Sequence, residues 1–158
     1  MAHMPGTETE LTTRREVLAG AAGVAIASVL AAAPVAAEPA QVAAEIKKLF
    51  GDKPLKPGKI KLDLPSIAEN GLVVPLNFEV DSPMTDKDYV KAVHVFAEGN
   101  PNPQVAAFRF TPMSPKAAAA IRIRLARTQN IVVVAEMASG EIYTAQREVK
   151  VTIGGCGG

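Results

Sequence analysis

The second half of the chain is dominated by alternating apolar and polar residues. For example, every second residue from 74 to 80 is apolar and would lie on one face of a strand: Val74, Leu76, Phe78 and Val80. A period of two is typical of a strand that buries one side in a core. Segments of this kind are separated by clusters of glycine, proline and asparagine, which favour turns. The strands predicted in this way span residues 59–64, 72–80, 89–97, 105–111, 119–127, 131–137 and 141–153.

One segment before these strands has a different period. Residues 41–50 carry apolar side chains at helical spacing, which predicts a short amphipathic helix. Pro39 suits the first turn of this helix, and Gly51 is placed to end it. The apolar face consists of Val42, Ile46, Leu49 and Phe50.

About seven short strands with turns between them predict an all-β fold, an immunoglobulin-like antiparallel β-sandwich. Residues 119–127 are ambiguous because alanines favour helix, but the alternation of Ile121, Ile123 and Leu125 with arginines favours a strand. Pro75 predicts an edge or a bulge within its strand. Ser139-Gly140 predicts a two-residue hairpin turn between the last two strands.

The N-terminal region has the pattern of an export signal. Arg14 and Arg15 precede an apolar, alanine-rich run at 18–33, and small residues follow up to a cleavage site expected between Ala37 and Glu38. Paired arginines before a modest apolar run indicate a twin-arginine signal peptide. The run is shorter than the roughly 20 residues that a membrane-spanning helix needs. We therefore expect a periplasmic protein whose leader is removed.

The expected domain organisation follows from these boundaries. Residues 1–37 form the leader, 38–58 a helix and linker, 59–153 the sandwich, and 154–158 a glycine-rich arm. Without the leader the chain has 15 Lys/Arg and 13 Asp/Glu, a difference of +2. Such a balance predicts no binding to nucleic acid or to an anionic membrane surface.

Cys156 is the single cysteine of the chain and lies between two pairs of glycines. Glycines have no side chains to bury a thiol and leave the backbone conformationally free. A free thiol in an oxidising compartment is open to oxidation and dimerisation, so it calls for a function. The pattern predicts a reactive group on a flexible arm that extends from the last strand. The four glycines of this arm are Gly154, Gly155, Gly157 and Gly158.

The rest of the sequence predicts little chemistry. His94 lies within a strand and has no convincing catalytic partners. Aspartates 81, 86 and 88 lack the spacing of an EF-hand. The arginines at 122, 124 and 127 indicate a basic stripe that faces solvent or an acidic partner. A copper site would need two histidines and a cysteine, and after the leader only His94 is present.

The leader, the short helix, the sandwich and above all Gly154-Gly155-Cys156-Gly157-Gly158 resemble the SoxY family of sulfur carriers in periplasmic thiosulfate oxidation. The resemblance implies that Cys156 is the covalent attachment residue and that the protein is a carrier with no cofactor, not an enzyme. It implies a heterodimer with a SoxZ-type β-sandwich subunit. The implied clients are a SoxAX-type cytochrome c complex, a SoxB-type dimanganese hydrolase and a SoxCD-type sulfane dehydrogenase.

Two other hypotheses stay open at this point. The protein could be a periplasmic adaptor or binding module whose Cys156 forms an intermolecular disulfide. It could also handle copper or another metal through Cys156, His94 and a methionine. Reaction with thiosulfate distinguishes the carrier from both.

Overall fold

The computed structural model describes residues 39–155, which form one helix and nine strands. The helix α1 spans Pro39–Phe50. The strands are β1 (Leu55–Pro57), β2 (Ile60–Asp63), β3 (Ile67–Asn70), β4 (Val74–Val80), β5 (Val90–Ala97), β6 (Gln104–Arg109), β7 (Ala117–Ile123), β8 (Gln129–Met137) and β9 (Ile142–Ile153).

The strands form two sheets, and the predicted sandwich is confirmed. The larger sheet has the order β1-β9-β8-β5-β6, with β3 paired to the other end of β9, and the smaller sheet has the order β2-β4-β7. Seven strands pair antiparallel, as the alternation predicts. The short strands β1 and β3 were not predicted, and both run parallel to β9. The strand β9 therefore has β8 on one side and these two strands on the other.

The main core lies between the two sheets. The alternating positions of β4 that were predicted to share a face, Val74, Leu76, Phe78 and Val80, are all buried in it. From the larger sheet, Val93, Val95 and Val133 pack against the same cluster. Burial of such side chains contributes roughly 1.5–3 kcal/mol each, so this interface is the main source of stability.

A second apolar cluster lies on the opposite face of the larger sheet, under α1. Val42 and Phe50 of the helix pack on Phe96, Val132 and Val134. The central strands β5 and β8 are thus buried on both faces. This explains why residues 131–135 of β8 are continuously apolar instead of alternating.

Several local predictions can be compared with the structure. Gly51 ends α1 with φ +70°, as expected, but Leu49 of the predicted apolar face is 43% exposed. Pro75 lies in β4, the central strand of the smaller sheet. It is outside the part of β4 that pairs with β2, so at Pro75 the strand pairs with β7 alone. The β8–β9 hairpin loop has three residues, not two, and ends in Gly140 at φ +85°, which is typical of a type I turn followed by a bulge.

Candidate functional site

The end of β9 leads directly into the glycine-rich segment. Beyond Ile153, Gly154 is exposed, but Gly155 is buried. The N–H of Gly155 donates a hydrogen bond of 2.9 Å to the carbonyl oxygen of Leu125. The structure thus ties the first part of the predicted arm to the sandwich through its backbone.

Gly71, in the turn between β3 and β4, completes this junction. Its N–H donates to the carbonyl of Ile153 at 2.7 Å, and its carbonyl accepts from the N–H of Leu125 at 2.7 Å. Three backbone segments that are distant in sequence therefore meet at one point. We call this junction of Gly71, Leu125–Ala126 and Gly154–Gly155 the clasp.

The loop between β7 and β8 carries one side of the clasp and is held from two directions. The side chain of Leu125 is fully buried in the main core. On the other side, the buried amide of Asn100 donates to the carbonyl of Arg124 at 2.8 Å and accepts from the N–H of Ala126 at 3.0 Å. The loop backbone is thereby fixed on both flanks of Leu125.

A second buried amide supports Asn100. Gln129 donates from Nε2 to Oδ1 of Asn100 at 2.9 Å and to the carbonyl of Arg127 at 3.0 Å, and its Oε1 accepts from the N–H of Gly99. Because a buried amide without partners is costly, a pair in which each amide oxygen and nitrogen is hydrogen-bonded favours one arrangement of the loop.

The remaining residues of the predicted site lie outside the described residues. These are Cys156, Gly157 and Gly158 at one end, and Arg14 and Arg15 of the predicted leader at the other. Within residues 39–155, no helix is both long enough and apolar enough to cross a membrane.

His94 lies on the helix-facing side of β5, at the border of the second cluster. Its ring packs edge-on against Phe50, with centroids 5.4 Å apart, and its Nδ1 lies 3.1 Å from Nε2 of Gln104. Burial lowers the pKa of His94 below its ordinary value of 6.5; Glu136 opposes this shift and Arg109 adds to it. These contacts fit a structural role, and they place His94 among aromatic side chains.

The acidic loop at 81–88 is organised by its own backbone. Met84 is buried in the main core, and Ser82 and Thr85 hydrogen-bond within the loop. In the described part of the chain, no three His, Cys, Asp or Glu residues are grouped as metal ligands would be.

The predicted basic stripe is divided between two elements. Arg122 lies on the outer face of β7, whereas Arg124 and Arg127 belong to the loop that carries the clasp. All three are exposed. The last two therefore lie on the same short segment as the carbonyls that contact the glycine-rich arm.

Sequence reasoning did not identify Gly71, Leu125 or Asn100 as parts of this site. Gly71 falls between two predicted strands, where only a turn was expected, and Leu125 was interpreted only as an alternating residue of a strand. Three glycines, at 71, 154 and 155, converge in the fold, but nothing in their sequence spacing indicates that they meet.

Known proteins resemble this chain in sequence and in fold. Residues 46–156 match the family described as sulfur oxidation protein SoxY. The sulfur carrier protein SoxY from Chlorobium limicola f thiosulfatophilum is 35% identical, with a TM-score of 0.62 over 72% of this chain and 98% of that chain. A superoxide reductase (neelaredoxin) from Ignicoccus hospitalis is 15% identical, with a TM-score of 0.52 over 73% and 94%, and shares the fold alone. No curated protein matches the chain significantly.

Proposed function

Because this chain belongs to the SoxY family of sulfur oxidation proteins, we propose that it is a covalent sulfur carrier in thiosulfate oxidation. The attachment residue is Cys156. The observation that carries this proposal is that the family match extends to Cys156, the one cysteine of the chain. The 35% identity to a solved sulfur carrier of this family supports it.

The chemistry of the carrier follows from its thiolate, the nucleophilic form of cysteine. The thiolate and thiosulfate are joined through a new S–S bond, and two electrons pass to a SoxAX-type cytochrome c complex. Water then cleaves the terminal sulfone, which leaves as sulfate with two protons released, and a persulfide remains on Cys156. The hydrolase, of SoxB type, and the sulfane dehydrogenase, of SoxCD type, act on these adducts; the carrier itself is not an enzyme.

The glycines around Cys156 serve to present the adduct. Side chains at Gly157 and Gly158 would widen the segment that enters a client's active site, and glycine avoids this. The clasp supports the proposal because it fixes the backbone at the start of the carrier segment, directly after β9.

A SoxZ-type subunit is the stable partner in this proposal. The outer face of the smaller sheet is the surface we assign to it. The larger sheet is covered by α1, whereas Ala118 and Ala120 of β7 and Asn77 of β4 form a flat outer surface of small side chains. The charged side chains of Lys61, Asp63 and Glu79 border these small residues, and a less charged centre with a polar rim is typical of a protein interface.

The proposed compartment is the periplasm. Arg14 and Arg15 would direct export through the twin-arginine pathway, and cleavage after Ala37 would release the mature protein. Client enzymes with metals and c-type haem would then meet the carrier after export.

The carrier assignment is tested by replacing its thiol. The Cys156→Ala variant should take up no thiosulfate in the presence of the cytochrome c complex, as measured by intact mass spectrometry with and without reductant. Met113→Ala is a matched control, since it removes a sulfur atom that is 93% exposed elsewhere on the surface. We expect this control to load normally.

Two results would contradict the assignment. One is loading of Cys156→Ala. The other is a wild-type protein that gives only a disulfide-linked dimer and no thiosulfate adduct, which would favour the adaptor hypothesis.

A further inference from the structure

The glycines of the clasp are required for a steric reason. A Cβ atom on Gly71 would lie 2.2 Å from the carbonyl oxygen of Leu125 and 2.7 Å from the nitrogen of Gly155. One on Gly154 would lie 2.2 Å from the carbonyl oxygen of Ala126. These neighbours are backbone atoms, which cannot rotate away as the end of a side chain can. None of the three glycines is among those with positive φ, so the close approach, and not an unusual backbone conformation, calls for glycine.

The clasp also joins both sheets at one end of the sandwich. Gly71 leads from β3 of the larger sheet into β4 of the smaller one, and Leu125 lies on the way back from β7 to β8. Gly155 donates a hydrogen bond to Leu125 of one crossing, and the carbonyl of Ile153 accepts one from Gly71 of the other. A segment fixed in this way starts from a defined position and in a defined direction.

We propose that the clasp is the fixed root of the carrier segment, and that Gly71 is a positioning residue for Cys156. This proposal rests on the carrier function proposed above. With the clasp closed, Cys156 is the first residue beyond the anchored backbone. If the clasp opens, Gly154 and Gly155 become part of the arm, and two extended residues add roughly 7 Å to its reach.

The clasp therefore divides the glycines of the arm into two kinds. Gly154 and Gly155 allow close packing of backbones, and Gly157 and Gly158 keep the segment beyond the thiol narrow. Substitutions in the two pairs should have different effects, although all four residues look equivalent in the sequence.

Hydrogen exchange of the isolated full-length protein tests the clasp directly. The Gly71→Ala variant should lose the hydrogen bond of the Gly155 amide, which should then exchange about tenfold faster or more. Amides of β8 should keep their protection. Leu72→Ala is the matched control, because this neighbouring side chain is 45% exposed and its removal should leave the clasp backbone unchanged.

A milder variant guards against a failure to fold. In Gly155→Ala the new Cβ would lie 2.9–3.1 Å from backbone atoms of Gly71 and Leu72, so a small shift can accommodate it. It should also speed exchange at residue 155, whereas Gly157→Ala should leave this amide as protected as in the wild type. Unchanged exchange at residue 155 in both Gly71→Ala and Gly155→Ala would overturn the clasp.

The positioning role has a separate readout. In a system reconstituted with thiosulfate and the client enzymes, Gly71→Ala should lower kcat/KM for the carrier several-fold, while Leu72→Ala should not. Faster exchange with unchanged kcat/KM would overturn the positioning role. The exchange result does not depend on the carrier function, whereas absence of turnover with the wild-type protein would show that the carrier function itself has failed.

Discussion

Removal of the Asn100 side chain should loosen the loop that carries the clasp. Asn100 is 2% exposed, and its amide makes hydrogen bonds to Arg124, Ala126 and Gln129. In Asn100→Ala the carbonyl of Arg124 and the N–H of Ala126 lose these partners. Gln129 keeps its bond to the carbonyl of Arg127.

The expected cost follows from these two backbone groups. A buried group left without its partner costs about 1–3 kcal/mol. Both bonds are only partly buried, which allows water to replace part of each. We therefore expect a loss of about 2–3 kcal/mol in the free energy of unfolding.

Urea denaturation followed by circular dichroism measures this loss. If the unfolding free energy falls with urea concentration at an unchanged slope, the substitution has changed stability and not the surface exposed on unfolding. The exposed Asn102 provides a matched control, and Asn102→Ala should stay within about 0.5 kcal/mol of the wild type. In Asn100→Ala the Gly155 amide should also exchange faster, because the loop that accepts its hydrogen bond is less well fixed. A loss for Asn100→Ala no larger than that of Asn102→Ala would refute the structural role given to this amide.

Two further predictions concern other parts of the sandwich. The pKa of His94 is lowered in the folded state, so the unfolded chain takes up a proton first on acidification. The contribution of His94 to the free energy of unfolding should therefore be fully present above about pH 6.5 and decline as the pH falls through that value. The His94→Gln variant should show a smaller decline in urea midpoint between about pH 7.5 and 5.5 than the wild type. Equal declines would contradict this. On the smaller sheet, Ala120→Glu should weaken co-purification of the SoxZ-type subunit, while Ala107→Glu on the exposed side of β6 should not; equal retention of the partner would exclude the assigned face.

The strands that could be predicted are those whose alternation reflects burial of one face. The β4 residues Val74 to Val80 illustrate this, since every second side chain enters the main core. For β8, the continuous apolar run correctly indicated a strand, but it did not indicate that α1 covers the second face.

Features that depend on distant pairing could not be predicted. The strands β1 and β3 have only three and four residues, and neither alternates between buried and exposed side chains. They exist because β9 offers a free edge, which is a property of the fold and not of residues 55–57 or 67–70.

The clasp was missed for a related reason. The sequence does not distinguish a glycine that allows close contact between two backbones from a glycine that makes a segment flexible. The flexibility of the carrier segment stays a prediction, whereas the hydrogen bond from Gly155 to Leu125 is visible only in the folded structure. Asn100 lies between two predicted strands, and its role was missed because its three partners are all remote in sequence.

The two short parallel strands beside β9 have a mechanical consequence. A force applied to the C-terminal end of β9 would be directed along the strand and transmitted to hydrogen bonds on both of its edges. A force along the strand loads these hydrogen bonds in shear, so many of them bear it at the same time. They are not broken one after another from the end of the strand. The sandwich should therefore resist tension at this end, and the first contacts to break should be those of the clasp itself.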